Sequence, residues 1–180
     1  EIPLRLVGSE MCIRDRVNWP EPIYFRIGRG RDPQVYPDGA PFEFGRAIVH
    51  STGSDLNIIA CGITLHAALA AAEQLRQEGV SVGVIDMPTI KPLDRDAVLA
   101  AAGQARLMMT VEEHNVLGGL GSAVAEVLAD VGTGTKLRRH GIYDEYSLIA
   151  PPTTLYAHYK LDAAGIGEVA RELIKTSHKA

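Results

Sequence analysis

The chain has 180 residues, of which 46% are hydrophobic and 22% are charged, a composition ordinary for one globular protein with a sizeable buried core. With a formal net charge of −4, the chain lacks the excess of positive charge that binds a phosphate backbone, which argues against nucleic acid as the main partner. No apolar run approaches the roughly 20 residues of a membrane span, and two cysteines form no secreted disulfide framework, so a cytoplasmic protein without a membrane partner is expected.

The first 45 residues divide into three segments of different pattern. Residues 1–17 contain neither the apolar stretch nor the small-residue cleavage site of a signal peptide. Within residues 18–32, Pro20 and Pro22 introduce a short apolar run that predicts one strand, and a basic turn follows it. Residues 33–45 crowd prolines together with turn-forming residues, a pattern typical of an interdomain linker.

Residues 46–180 alternate between strand-like and helix-like patterns. Two strands, at 47–50 and 56–61, are predicted to pair through a hairpin-like turn. Three further strands are predicted at 80–85, 107–112 and 136–142. Short connections between alternating strands and helices require crossovers, which make neighbouring strands parallel. The predicted class is therefore α/β, a three-layer α/β/α fold with a mostly parallel sheet covered by helices on both faces.

Four helices are predicted from apolar spacing and from residues that start or end a helix. The first follows Gly62 and ends at Gly79, which sits where a left-handed cap belongs. Asp94 is placed to cap the second helix. The predicted buried faces of the second, third and fourth helices are Val98, Ala101, Ala102 and Ala105; Val124, Val127, Leu128 and Val131; and Ile166, Val169, Ala170, Leu173 and Ile174.

A glycine-rich turn connects the strand at 107–112 to the third helix. The spacing Gly119-x-Gly121-x-x-Val124 is similar to a dinucleotide-binding fingerprint, but valine stands where a third small residue is needed. No acidic residue clearly follows to hold a ribose. A free-standing oxidoreductase with a nicotinamide or flavin site is therefore a weak alternative, and a tight strand-to-helix turn explains the glycines better.

The densest titratable cluster is formed by Glu112, Glu113 and His114, and in an extended strand Glu112 and His114 would share one side. A metal site is conceivable, but consecutive residues rarely converge on one ion without distant ligands, which the His and Cys spacing does not offer. A hydrogen-bonded interface or loop-fixing role is favoured. The sequence contains no Gly-x-Ser-x-Gly nucleophile elbow, so nucleophilic catalysis has no support. Cys61 is interpreted as a small buried hydrophobe.

Three arginines, Arg26, Arg29 and Arg31, lie close together at the end of the first predicted strand. Arg29 stands between Gly28 and Gly30, where the backbone can approach a ligand. The planar guanidinium suits phosphate or carboxylate oxygens, so one interpretation is an anion pocket. Solvated salt bridges explain the spacing equally well, and on the residues alone both interpretations stay open.

Three segments are distinctive in their order and separation: Pro22–Gly30 (PIYFRIGRG), Thr89–Asp94 (TIKPLD) and Thr110–Val124 (TVEEHNVLGGLGSAV). Together they resemble the C-terminal section of transketolases, and the resemblance covers about residues 18–180. It implies that residues 18–32 are the last strand of a truncated pyrimidine-binding domain, that 33–45 form the linker, and that 46–180 form a transketolase C-terminal domain.

The resemblance implies part of a transferase that moves a two-carbon ketol unit between sugar phosphates, using thiamine diphosphate and a divalent cation. No cofactor is expected to bind this chain alone, because the Gly-Asp-Gly metal motif is absent and the activating glutamate is expected before residue 1. The implied partner is a thiamine-diphosphate-binding N-terminal subunit or domain, in a homodimer or a heterotetramer. The isolated chain is expected to be inactive.

The resemblance also assigns roles to individual residues. Arg29 aligns with the family arginine that contacts the substrate phosphate, which favours the anion pocket and makes it the expected substrate-binding residue. Arg26 would support the strand, and no catalytic residue is expected in the chain. The residues expected to shape the loop or the subunit interface are Glu112, His114, Gly118, Gly119 and Gly121.

Several alternatives stay open. Residues 1–17 match nothing expected in a pyrimidine domain and are interpreted as non-native or disordered, with a divergent tail as the alternative. Deoxyxylulose phosphate synthase and the beta subunits of 2-oxoacid dehydrogenases share this C-terminal domain, although residues 141–159 look more like the split transketolases. From another class, a noncatalytic dimerisation or anion-binding module would hold a small anion at Arg29 or at the helix start at 118–122.

Overall fold

The structure is a computed structural model that describes residues 20–26, 34–37, 40 and 42–177. The strands are β1 (Ile48–Ser51), β2 (Leu56–Ala60), β3 (Val82–Asp86), β4 (Leu107–Asn115) and β5 (Lys136–Ile142). The helices are α1 (Thr64–Gln77), α2 (Arg95–Gln104), α3 (Leu120–Val131), α4 (Pro152–His158) and α5 (Ala163–Ser177). None of these five helices combines the length and the apolar character that a membrane crossing requires.

The five strands form one sheet in the order β1-β3-β2-β4-β5. Strand β2 pairs in parallel with both β3 and β4, and β4 pairs in parallel with β5. Strand β1 is antiparallel to β3 at one edge. The predicted α/β class with a mostly parallel sheet is confirmed.

The predicted hairpin between the first two strands is wrong, because β3 lies between them. Both edges of β2 are occupied by parallel neighbours, so β1 pairs with β3 instead. The connection crosses the start of β3: the N–H groups of Asp55 and Leu56 both donate to the Ser81 carbonyl, at 3.1 and 3.2 Å. Gly53 permits this crossing, since a Cβ there would overlap the backbone of Gly83.

Helices cover both faces of the sheet, which completes the three layers. On one face α1 and α5 pack against the sheet through Leu65, Ala68, Ala72, Leu75, Ile166, Val169, Ala170 and Leu173. On the other face α2 and α3 pack through Val98, Ala101, Leu120, Val124, Val127 and Leu128. Each large aliphatic side chain buried in this way contributes about 1.5–3 kcal/mol relative to exposure, so the two apolar layers fix the positions of the loops at the sheet edges.

Three details of the helices and segments differ from the sequence-based expectations. Val131 was expected inside, but it is 55% exposed because it is the last residue of α3, before the left-handed cap at Gly132. Helix α4 was not predicted, since it is short and has no fully buried residue. No strand is present at 22–26, where one was predicted, because no neighbouring strand among the described residues pairs with it.

The start of α2 matches its prediction. Asp94 accepts the Ala97 N–H through Oδ1 at 3.0 Å, and its Oδ2 accepts the Ala47 N–H at 2.9 Å. One buried carboxylate therefore caps a helix and also fixes the end of the linker.

Replacing Asp94 with alanine should lower the free energy of unfolding by about 2 kcal/mol, because the helix loses its cap and the Ala47 amide loses its acceptor. Urea unfolding followed by circular dichroism measures this change. Asp96→Ala, in the same turn but 90% exposed, is the matched control and should cost less than about 0.5 kcal/mol. Equal costs for both variants would contradict the capping role.

Candidate functional site

In an open parallel sheet, ligands bind beyond the carboxyl ends of the strands, where neighbouring connections leave toward opposite faces. Here that point lies between β2, which continues into α1 on one face, and β4, which continues into α3 on the other. The side chains at these two strand ends therefore decide whether a ligand can enter.

Thr64, at the start of α1, fills the β2 side of this position. Its hydroxyl lies 2.9 Å from the Cys61 carbonyl oxygen and 3.0 Å from the Val111 carbonyl oxygen, and the residue is 2% exposed. One short side chain thus bridges the ends of β2 and β4.

Glu112, near the end of β4, fills the other side. It is 1% exposed, and its carboxylate turns toward the beginning of α3. Oε2 accepts the Leu120 N–H and Oε1 accepts the Gly121 N–H, each at 2.8 Å. These are the free amides and the positive dipole end that bind phosphates in nucleotide-binding folds. An internal carboxylate therefore occupies the anion position, which argues against the oxidoreductase alternative and against an anion site at 118–122.

Each glycine of the turn has its own reason to be glycine, and Gly119 is the one that makes room for this carboxylate. Gly118 has a φ of +77°, which disfavours other residues. A Cβ on Gly119 would overlap Glu112 Oε2, and a Cβ on Gly121 would lie 2.8 Å from Thr110 Oγ1. The structure thus brings four of the five expected loop-shaping residues together.

The fifth, His114, lies apart from them. It is exposed, and its Nδ1 is 2.9 Å from the Asn115 carbonyl oxygen. Glu112 and His114 were expected to share one side of an extended strand, and the structure buries Glu112 while it leaves His114 exposed. The pairing register of β4 with β5 shifts between Val111 and Asn115, on either side of these residues. Across the described ranges 20–26, 34–37, 40 and 42–177, no three His, Cys, Asp or Glu side chains are grouped closely enough to hold a metal ion.

Glu113 joins three separate parts of the chain. Its carbonyl oxygen accepts a hydrogen bond from Arg26 Nη1 at 2.7 Å, and Arg26 Nη2 lies 3.7 Å from its Oε2. Its Oε1 accepts the Tyr156 hydroxyl of α4 at 3.1 Å. Arg26 therefore contacts this domain through Glu113, whereas Arg29 lies outside the described residues.

Cys61 follows β2 at the same edge. Burial, with smaller contributions from Glu112 and Asp86, raises the pKa of its thiol to about 12. Because the thiolate is the nucleophile, a thiol that stays protonated near pH 7 is unreactive. This agrees with the interpretation of Cys61 as a small hydrophobe.

A cluster that the sequence did not reveal lies beside β1. The Tyr36 hydroxyl donates to Asp86 Oδ2 at 2.8 Å and lies 2.7 Å from His50 Nε2. Asp86 is 5% exposed, and burial raises its pKa to about 6 although the hydrogen bond from Tyr36 acts in the opposite direction. In the sequence, the only sign of this cluster was that a polar residue, Asp86, ends the apolar run of β3. Nothing in the sequence indicated that Tyr36 of the linker would contact it.

A family model described as the transketolase C-terminal domain matches residues 45–166, about two thirds of the chain. The chain belongs to the transketolase C-terminal domain family. The same family occurs in proteins of different organisation, which the individual relatives show.

The similar proteins include both split enzymes and longer single chains. One subunit of an apulose-4-phosphate transketolase from Phocaeicola vulgatus is 41% identical over 97% of this chain and 55% of its own length. A 1-deoxy-D-xylulose-5-phosphate synthase of a Synechococcus species is 39% identical over 83% of this chain and 24% of its own length. A solved split-gene transketolase, described as an inactive beta4 tetramer, is 34% identical with a TM-score of 0.85.

That structural match covers 91% of this chain and 54% of the solved chain. The transketolase C-terminal domain and its preceding segment thus span about half the length of the relatives from split enzymes.

Gly119→Ala should destabilise the transketolase C-terminal domain by about 2 kcal/mol or more, since the new methyl group must displace the Glu112 carboxylate from the start of α3. Gly103→Ala is the matched control, because a Cβ there meets nothing within 4 Å and alanine favours the helix. Denaturant unfolding should show a loss for the first variant and no loss for the second. A Gly119 variant as stable as the control would refute the close fit.

Asp86 should make stability depend on pH. Its pKa is raised when folded, so the folded protein binds more protons than the unfolded chain between about pH 4 and 6, and stability falls as pH rises through that window. Two pKa units at 1.36 kcal/mol each correspond to a decrease of up to about 3 kcal/mol in the free energy of unfolding across this window. Asp86→Asn should abolish that decrease. Urea unfolding across pH 4–7 measures it, with exposed Asp130→Asn as control. A slope that survives Asp86→Asn would contradict the assignment.

Proposed function

We propose that this chain is the C-terminal part of a thiamine-diphosphate-dependent transketolase that transfers a two-carbon ketol unit between sugar phosphates in the cytoplasm, as in the pentose phosphate pathway. The observation that carries the proposal is the 41% identity to a subunit of a split transketolase along 97% of the chain. A match of this length includes residues 20–44, which precede the family domain, as well as the domain itself.

The geometry supports an auxiliary role for this chain within the enzyme. The α3 terminus, where a diphosphate would bind, is occupied by the Glu112 carboxylate, and a negatively charged ligand would be repelled there. The start of α3 therefore does not fit the diphosphate of thiamine diphosphate. In this proposal the cofactor and its divalent cation are held by an N-terminal subunit or domain.

Two contributions of the chain follow from this role. Arg29 contacts the substrate phosphate, because its forked guanidinium matches phosphate oxygens. The exposed His114 and the turn at 118–121 contribute to the contact between subunits. The assembly is a homodimer or a heterotetramer, and the isolated chain is inactive, in keeping with the description of the solved relative as an inactive beta4 tetramer.

A deoxyxylulose phosphate synthase is the second candidate, since one member of that enzyme class is 39% identical to this chain. The match along this chain favours the transketolase, because the transketolase subunit is 41% identical over 97% of the chain and the synthase is 39% identical over 83% of it. For a noncatalytic anion-binding module, an anion at the start of α3 is disfavoured, because Glu112 already occupies that helix start.

The purified chain should show no ketol transfer alone and should gain it when combined with the thiamine-diphosphate-binding component from the same genome. A coupled assay with a ketose phosphate donor and an aldose phosphate acceptor measures the rate. Ketol transfer by the isolated chain would contradict the proposal. Pyruvate consumption in place of ketose phosphate would identify the synthase.

In the complete enzyme, Arg29→Met should raise KM for the phosphorylated acceptor by about 10- to 100-fold, the effect of losing one charge-assisted contact of about 1.5–3 kcal/mol. The control is Glu126→Gln, an exposed change on α3. An unchanged KM would remove Arg29 from the substrate site.

A further inference from the structure

The loop between β5 and α4, residues 143–149, carries a cluster of large apolar side chains on the surface: Tyr143, Tyr146, Leu148 and Ile149. Tyr146 and Ile149 are fully exposed, and the other two are about half exposed. Single exposed apolar residues are ordinary on a protein surface, whereas several together mark a place where another molecule binds. Tyrosine in particular is enriched in the centres of protein interfaces. The 143–149 loop therefore has the composition of an interaction surface.

The backbone of this loop is held at both ends. Near its start, the Asn115 side-chain amide donates to Asp144 Oδ1 at 3.0 Å. Near its end, the Leu148 N–H donates to the hydroxyl of the buried Tyr159 at 3.3 Å. The exposed Leu117 is attached to the same asparagine, because its N–H donates to Asn115 Oδ1 at 2.8 Å. The loop thus presents its apolar side chains on an ordered backbone, which lowers the entropy cost of binding.

Charges of both signs lie beside these apolar side chains. The Arg138 guanidinium of β5 lies 5.9 Å from the centroid of the Tyr143 ring, and the exposed Glu145 follows two residues after that tyrosine. Within the part of the chain that the structure describes, neither Arg138 nor Glu145 takes part in a salt bridge. A surface that carries both signs can be complementary to a second copy of itself, whereas a surface of one sign repels its own copy.

We infer that the 143–149 loop is a contact between two copies of this chain, with Arg138 of one copy opposite Glu145 of the other. A two-fold axis near Tyr143 forms this ionic contact twice and encloses the apolar side chains of both loops. The inference deepens the proposed function and rests on its homodimer or heterotetramer, since either assembly contains two copies of the chain. The solved relative described as a beta4 tetramer, 34% identical with a TM-score of 0.85, supports contact between copies.

The apolar part of the contact is tested by self-association of the purified chain, measured by sedimentation velocity over a range of concentrations. Tyr146→Ser combined with Ile149→Ser should raise the Kd of self-association at least about 100-fold, because each change acts twice in a symmetric pair. Both side chains are fully exposed, so folding should be unaffected. Val131→Ser, a change of an exposed apolar residue at the end of α3, is the matched control. Equal Kd values for the variant and the control, or a chain that does not self-associate, would overturn the inference.

The ionic part is tested by exchanging the charges. Arg138→Glu and Glu145→Arg should each raise the Kd about 10-fold at low salt, since each places like charges opposite one another twice. An equimolar mixture of the two variants should form a mixed pair with a Kd within about threefold of the unmodified chain, because opposite charges face each other again at both positions. Only contact between copies gives this recovery. Variants that stay dissociated on mixing would overturn the inference.

Binding of the thiamine-diphosphate-binding component separates the two possible occupants of the loop. The Tyr146→Ser, Ile149→Ser variant should still bind that component in a sedimentation experiment. Loss of this binding while self-association stays intact would overturn the inference and give the loop to the other component.

The ketol-transfer assay separates this inference from the proposed function. If self-association depends on the loop but the combined components never transfer a ketol unit, the contact between copies stands and the proposed function fails. If the combined components transfer a ketol unit while the loop variants associate normally, the proposed function stands and the inference fails.

Discussion

The carboxyl edge of this sheet depends on one buried carboxylate at the beginning of a helix. Glu112 is buried, and burying a charged group that has no hydrogen-bond partners costs a large amount of free energy. The amides of Leu120 and Gly121 and the dipole of α3 compensate for the lost hydration. This compensation requires a close approach of the turn to the strand, which glycine at 119 allows because any side chain would overlap the carboxylate.

This internal contact changes what the fold can do. An open parallel sheet offers a ligand position at its switch point, and here Thr64 and Glu112 occupy that position from both sides. The position that binds nucleotides in other proteins of this architecture is therefore filled by side chains here. Function depends on the residues of a site and not on the fold alone.

Local patterns in the sequence predicted most of the domain, whereas the strand order and two side-chain contacts that were missed depend on long-range contacts. The cap at Asp94 and the bounds of β5 follow from neighbouring residues and were predicted well. The partner of β1 was missed because strand order depends on which edges remain open. The contacts of Tyr36 with Asp86 and of Arg26 with Glu113 join residues 50 and 87 positions apart. No periodicity or spacing can pair residues over such distances.

The adjacent glutamates illustrate why the titratable cluster at 112–114 was hard to interpret from sequence. Successive residues of a strand point to opposite faces, and the two carboxylates accordingly serve different parts of the molecule. Glu112 binds uncharged amides inside the protein, where salt has little access. Glu113 pairs with Arg26 near the surface, where the attraction is weak and screened by salt. Two neighbouring residues of the same type therefore make different contacts: Glu112 makes a buried one with the start of α3, and Glu113 makes a partly exposed one with Arg26.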